Sequence, residues 1–231
     1  MPLPDKVVLI TGANGGLGTA VTSAFLGAGA RVAGVARKIQ NSDFPHANFT
    51  AYSAELGSAD AARAVAAAVI AKWQRIDALV HLVGVFAGGK SVAETDDATL
   101  EQMIEVNLRS AFYMIRAVLP EMRARGAGRI LAIGSRTAVD PQPLVGAYSA
   151  SKAALISLVR TVALENKDRG ISANVILPGT MDTPVNRAAM PDADPTKWVE
   201  PSQVASLLVH LASDQASQIS GAVIPVLGGD L

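Results

Sequence analysis

A tyrosine at 148, a lysine four residues on at 152 and a serine thirteen residues upstream at 135 have the types and spacing for proton transfer coupled to hydride transfer. If residues 146 to 165 are helical, positions four apart share a face, and the Lys152 ammonium lies close to the Tyr148 phenol. A free phenol titrates near pH ~10, and a neighbouring cation lowers that by about 1 to 3 units. Catalysis by a general acid favours such a shift, since it brings the pKa toward the working pH. The pair then reads as a tuned acid. A surface Tyr and Lys that fall at helical spacing by chance are the competing reading.

The amino end of the chain bears on that choice. Val7-Val8-Leu9-Ile10 reads as a short buried strand, and it runs into Thr11-Gly12-Ala13-Asn14-Gly15-Gly16-Leu17-Gly18 and then a helical stretch from Thr19 to Leu26. A glycine turn between strand and helix lets backbone approach a pyrophosphate, while the free N–H groups and dipole of the new helix hold its charge. A tight turn that only packs helix on strand is the alternative. The spacing of Gly12, Gly16 and Gly18 also departs from the usual G-x-G-x-x-G dinucleotide pattern.

Taken together, these residues resemble the short-chain dehydrogenase/reductase family, in its single-domain branch marked by T-G-x-x-x-G-x-G near the start and Y-x-x-x-K in the second half. The likeness spans nearly the whole chain. It implies a catalytic set of Asn107 (in Val106-Asn107-Leu108), Ser135, Tyr148 and Lys152. It also implies a cofactor site made by Gly12, Asn14, Gly16, Leu17, Gly18, Arg37, Gly84, Tyr148, Lys152, Met181 and Thr183. The last two belong to Pro178-Gly179-Thr180-Met181-Asp182-Thr183, which is similar to the family's P-G-x-x-x-T segment and would hold the nicotinamide carboxamide. A plain Pro-Gly turn competes for that segment. The implied chemistry is hydride delivery to a substrate carbonyl carbon while Tyr148 protonates its oxygen. Ser135 would hydrogen-bond that oxygen, Lys152 would lower the Tyr148 pKa and bind the nicotinamide ribose, and Asn107 would anchor a water feeding the relay. Two places depart from the pattern. His81-Leu82-Val83-Gly84 stands where the family has N-N-A-G, and Glu55 stands where an Asp contacts the adenine amino group. His81 thereby replaces a residue that mainly braces the sheet.

A coarse reading places strands near 6 to 11, 30 to 36, 48 to 53, 76 to 83, 128 to 134, 171 to 177 and 222 to 226, with helices between them. Strands such as Ala78-Leu79-Val80 and Ala173-Asn174-Val175-Ile176 are apolar throughout. That combination implies an α/β fold, a doubly wound parallel sheet covered on both faces, which is the Rossmann fold of the family the chain resembles. With 231 residues, 50% of them hydrophobic, the chain can bury one sizeable core, and no linker divides it, so it reads as a single domain over 1–231. Ligands sit at the carboxyl ends of such strands. Thr11, Gly84, Ser135 and Pro178 all fall just past expected strand ends, so the separate motifs converge on one crevice.

The second strand, Arg31-Val32-Ala33-Gly34-Val35-Ala36, is followed by Arg37-Lys38, and no Asp or Glu appears between Arg31 and Ser42. A carboxylate there suits the ribose 2′-hydroxyl of NAD, whereas a cation suits the 2′-phosphate of NADP. Ala36 holds the usual acidic position and the planar fork of Arg37 suits phosphate, so NADP(H) is expected over NAD(H). Arg37 as a solvated loop residue is the other reading.

The 20 basic and 20 acidic residues leave no overall field for nucleic acid or anionic membrane. Arg123, Arg125 and Arg129, around a helix end near Gly126, read as cations complementing the helix dipole and solvent. The most apolar helical stretch, Ala64 to Ala71, is far short of the ~20 residues a bilayer requires, and no charged-then-apolar leader precedes the first strand. Zero cysteines fit a reducing cytoplasm, and His46, His81 and His210 have no metal-ligand spacing, so no metal is expected. The partners expected are a small carbonyl or alcohol substrate and further copies of the chain. Helices over about 98 to 124 and 146 to 168 resemble those through which family members form tetramers, although their apolar faces suit burial within one subunit equally. The substrate pocket is expected from Val85, Phe86, Arg136, Thr137, Leu144, Val145 and the segment from Met181 to Trp198. Arg136 reads either as an anchor for an anionic substrate group or as an outward structural residue. Two rivals stay open: a dehydrogenase working mainly toward alcohol oxidation, and a catalytically silent NAD(P)-sensing protein of the same fold.

Overall fold

In a computed structural model that describes residues 2–229, seven parallel strands form one sheet in the order β3-β2-β1-β4-β5-β6-β7. The strands are β1 (Val7–Thr11), β2 (Arg31–Ala36), β3 (Phe49–Ser53), β4 (Ala78–His81), β5 (Gly128–Ile133), β6 (Ile171–Pro178) and β7 (Val223–Val226). Alternate residues of β1 explain why the sheet is covered twice. Val7 and Leu9 belong to one core, with α2 (Ala59–Trp73), α4 (Ser110–Arg125) and α5 (Gly146–Glu165), while Val8 and Ile10 belong to the other, with α1 (Gly16–Gly27) and α7 (Pro201–Ala212). A strand apolar on both faces is what a sheet between two helix layers demands. The order reverses between β1 and β4, which opens a crevice at their carboxyl ends.

The helix expected over 98 to 124 is interrupted. It comprises α3 (Asp97–Ile104), a π-helical turn over Glu105–Arg109, and α4. Such a turn widens the hydrogen-bonding ring by one residue and is frequent at functional sites; here Asn107 lies inside it and is fully buried. The second expected helix ends at Glu165 rather than 168.

At the opposite end of the sheet, the arginines read as solvated helix-end cations have specific partners instead. Arg125 donates to Asp77 at 2.9 Å and to the Ile76 carbonyl at 3.3 Å. Arg123 Nε donates to Asn166 Oδ1 at 2.6 Å, and Arg129 is buried. Burial pushes the Asp77 carboxyl up, but Arg75, the Val7 N–H and Arg125 outweigh it and hold the group below the ordinary carboxylate range. No helix among the described residues is long and apolar enough to cross a membrane.

Candidate active site

The β1–α1 turn is built so that no side chain intervenes. Gly12 has φ +69, a left-handed conformation that favours glycine. A Cβ on Gly18 would lie 1.9 Å from the Gly12 carbonyl oxygen, so the start of α1 is pressed directly onto the turn. On Gly16 it would lie 3.1 Å from the Thr183 methyl, which shows how closely the segment after β6 approaches. Helix α1 begins at Gly16 with no side-chain cap and no acidic residue in its first turn, and Leu17 is buried beneath it. Asn14 reaches across to the end of β2, its amide donating to the Lys38 carbonyl at 2.7 Å and to Asp43 at 3.2 Å. Arg37 and Lys38 are exposed there. Sequence reasoning missed Asp43, which lies one residue beyond the stretch searched for acids. Its carboxylate also accepts the Gln40 N–H, closing a short 3-10 turn that carries it back toward Asn14.

Lys152, Asn107 and Gly84 meet at one point. A Cβ on Gly84 would lie 3.0 Å from Lys152 Nζ and 3.1 Å from Asn107 Oδ1. The Asn107 side chain ties three groups together: Oδ1 accepts the Val85 N–H at 2.8 Å, and Nδ2 donates to the Val85 carbonyl and to Ser151 Oγ, each at 3.0 Å. Ser151 in turn donates to the Tyr148 carbonyl at 2.7 Å, so the π turn is tied to the first turns of α5. Lys152 Nζ donates to the Ile133 carbonyl at 2.9 Å at the end of β5. One residue past that strand Gly134 leads to Ser135, whose hydroxyl is 3.0 Å from Thr137 Oγ1 and hydrogen-bonds the Tyr148 phenol.

The electrostatics differ from the expectation of a phenol acidified by its lysine. Burial raises the Tyr148 pKa above the ordinary phenol value, and what opposes the rise is the Ser135 hydrogen bond. Residues 148 and 152 do share a helix face, but the ammonium is drawn to the Ile133 carbonyl, and its own pKa falls to about 8 through burial. Both groups are shifted toward their neutral forms, as desolvation requires.

Met181 and Thr183 are held by a strap between β6 and α7. Val199 N–H donates to the Thr180 carbonyl at 2.7 Å and Asp182 N–H to the Val199 carbonyl at 2.9 Å. Asn186 donates to the Met181 carbonyl, and Thr183 caps α6 (Pro184–Ala189).

Beside Tyr148 lies a cavity of about 340 Å³ lined by Phe86, Gly88, Lys90, Thr95, Thr99, Leu144 and Val145, among others. The Phe86 ring meets the Tyr148 ring edge-on, with centroids 5.0 Å apart, and so joins cavity to phenol. Of the expected lining, Phe86, Leu144 and Val145 are there. Val85, Arg136, Thr137 and the segment from 181 to 198 do not line it, whereas Lys90, Thr95 and Thr99 do and were not anticipated. Arg136 is paired with Asp140. Leu144 sits at φ +64, its carbonyl taken by the Gly89 N–H at 2.8 Å.

The family model described as short chain dehydrogenase matches residues 6–194. A short chain dehydrogenase of Penicillium brasilianum, ausX, is 32% identical, with 97% of this chain and 95% of that protein aligned. Among solved structures, the 3-ketoacyl-(acyl-carrier-protein) reductase of Brucella melitensis complexed with NADH superposes with a TM-score of 0.89 at 26% identity, covering 98% of both chains. ElxO with NADP bound superposes at 0.93 with 24% identity, again over 98% of both, a likeness of fold.

Proposed function

The chain belongs to the short-chain dehydrogenase/reductase family and is a nicotinamide-dependent oxidoreductase; from that premise we propose that it is an NADPH-dependent reductase of a small carbonyl compound, with Tyr148 as the general acid. The observation that carries the direction is the burial of the phenol, whose ring meets Phe86 edge-on. With its pKa raised by burial, Tyr148 keeps its proton at neutral pH and is ready to give it to a developing alkoxide.

The residues present fit a dinucleotide, because the positions where backbone must come close are those where a Cβ would collide or crowd, at Gly12, Gly16, Gly18 and Gly84. Bound in this cradle, the reduced nicotinamide supplies the hydride. The protein's part is to bind, orient and move protons. Asn14 and Arg37 lie where the adenosine half would run, and the uncapped amino end of α1 suits the pyrophosphate. Thr183 and the backbone at Met181 would hold the carboxamide, and Lys152, beside Gly84, the ribose hydroxyls. Ser135 meets the phenol and would hydrogen-bond the same substrate oxygen, so that two donors are preorganised around the developing charge. Since both Nδ2 protons of Asn107 are already donated, a water it anchors for the relay would be held by its oxygen atoms, side-chain or main-chain.

Support for NADPH over NADH is the exposed Arg37-Lys38 pair and the absence of acid at Ala36. Asp43, held next to Asn14, works against a second phosphate charge, so the preference rests on Arg37 outweighing it. We place the enzyme in the cytoplasm as a homo-oligomer, tetramer or dimer, supported by Phe112 and Leu164 exposed on α4 and α5; sizing chromatography tests the assembly.

Two variants test the reading. Tyr148→Phe should lower turnover of any carbonyl substrate by about 10² to 10⁴-fold while NADPH still binds; unchanged turnover refutes the assignment. Arg37→Ala should remove the tighter binding of NADPH relative to NADH, and equal affinities in the parent would retire the Arg37 argument.

A further inference from the structure

His81 ends β4 and is 1% exposed. Its ring nitrogens face two different parts of the site: Nδ1 lies 3.0 Å from Thr11 Oγ1 at the entry to the glycine turn, and Nε2 lies 3.2 Å from Ser110 Oγ at the start of α4. The donors follow by elimination. Ser110 gives its single hydroxyl proton to the Val106 carbonyl at 2.6 Å, so toward the ring it can only accept, and Nε2 must carry the ring proton. Nδ1 is then bare and accepts from the Thr11 hydroxyl, whose oxygen accepts the Leu82 N–H at 3.2 Å. All four bonds point the same way, from Leu82 through Thr11, His81 and Ser110 to Val106, and bonds aligned in series strengthen one another. Val106 precedes Asn107 within the π turn.

We propose that His81, as the neutral Nε2–H tautomer, is a positioning residue that clamps the π turn carrying Asn107 to the glycine turn at Thr11. An asparagine at this position, as in the family pattern, could reach the Thr11 side; the imidazole extends one ring bond farther and makes the second attachment, to Ser110. Burial, aided by the nearby Lys152 ammonium, pushes the His81 pKa down to about 3, so the ring keeps a single proton and the chain a single direction. The catalytic significance of the clamp rests on the reductase reading above. The clamp itself does not, and it can be examined without turnover.

The test uses the full chain labelled with nitrogen-15 histidine. The His81 ring, identified by the signals that vanish in His81→Gln, should be the neutral Nε2–H tautomer throughout about pH 6 to 8. In His81→Phe, amide hydrogen exchange at Val85, whose N–H is held by Asn107, should accelerate by about tenfold more than at Val69 in the distant core. His81→Gln, which can still donate to Ser110, should stay within about threefold of the parent. An Nδ1–H or doubly protonated ring would overturn the proposal, and so would Val85 exchange that rises no more than that of Val69. If His81→Phe does not fold, Ser110→Ala removes the acceptor alone and is read by the same comparison. Failure of the reductase reading would leave these spectra and rates untouched, so the two ideas fail separately.

Discussion

Replacing Lys152 with methionine should stabilise the cofactor-free protein at neutral pH and destabilise it, relative to the parent, in alkali. Lys152 is 4% exposed, and burial lowers its pKa from the ordinary 10.5 to about 8. Carrying the ammonium inside therefore costs the native state about 3 kcal/mol at pH 7. The sign follows from proton counting. Between pH 8 and 10.5 the unfolded chain holds a proton that the native protein has released, so stability rises with pH across that window. Below about pH 8 both states are protonated and the full cost remains. Methionine has similar reach and no charge, but it forfeits the bond to the Ile133 carbonyl, worth about 1 to 2 kcal/mol. The variant should thus stand about 1 to 2 kcal/mol above the parent at pH 7 and fall below it near pH 10, a swing of about 2 to 3 kcal/mol. Urea unfolding followed by the fluorescence of Trp73 and Trp198, at several pH values and without cofactor, measures it. Tyr148 is present in both proteins and cancels to first order. A difference between parent and variant that does not change with pH would refute the reasoning.

Gly18→Ala places a methyl 1.9 Å from the Gly12 carbonyl oxygen and should cost about 2 to 4 kcal/mol of stability together with at least tenfold in dinucleotide affinity. Gly27→Ala, on the same helix with nothing within 4 Å of the added methyl, is the control and should be neutral or slightly stabilising in thermal melts. Subtracting the alkaline absorbance titration of Tyr148→Phe from that of the parent should isolate a phenol ionising above pH 10, because burial outweighs the Ser135 hydrogen bond; an ionisation below pH 10 would restore the picture of a lysine-acidified tyrosine.

Much of the architecture was legible in the chain for local reasons. Val7-Val8-Leu9-Ile10 and Ala173-Asn174-Val175-Ile176 are apolar or buried at every position, and strands sandwiched between helix layers have no other pattern available. The convergence of Thr11, Gly84, Ser135 and Pro178 at one sheet edge followed from topology once the strands were placed. What escaped were effects that depend on a partner distant in sequence. The π turn is set by backbone bonds such as Ser110 N–H to the Glu105 carbonyl, which the side-chain pattern of residues 97 to 125 does not record, and Asn107 within it bonds to Val85 and Ser151, both distant in sequence. Asp43 reaches Asn14 because a short turn folds the segment after β2 back on itself. The spacing of Tyr148 and Lys152 correctly put them on one helix face, yet the pKa of each is governed by desolvation, which spacing does not report.

The segment His81-Leu82-Val83-Gly84 holds two positions with different physical demands. At Gly84 the neighbours are the Lys152 amine and the Asn107 amide, within 3.1 Å of any added Cβ, so a larger residue would displace both groups. At position 81 the side chain joins the ends of β1 and β4 to the helix behind them. His81 does so with two bonds, accepting from Thr11 on one side and donating to Ser110 on the other. The two positions therefore differ in what they demand: at Gly84 the space itself is taken, whereas at position 81 the side chain must match its hydrogen-bond partners. Ser110 is such a partner, and with alanine there the ring N–H of His81 would be buried without an acceptor, at a cost of about 1 to 3 kcal/mol.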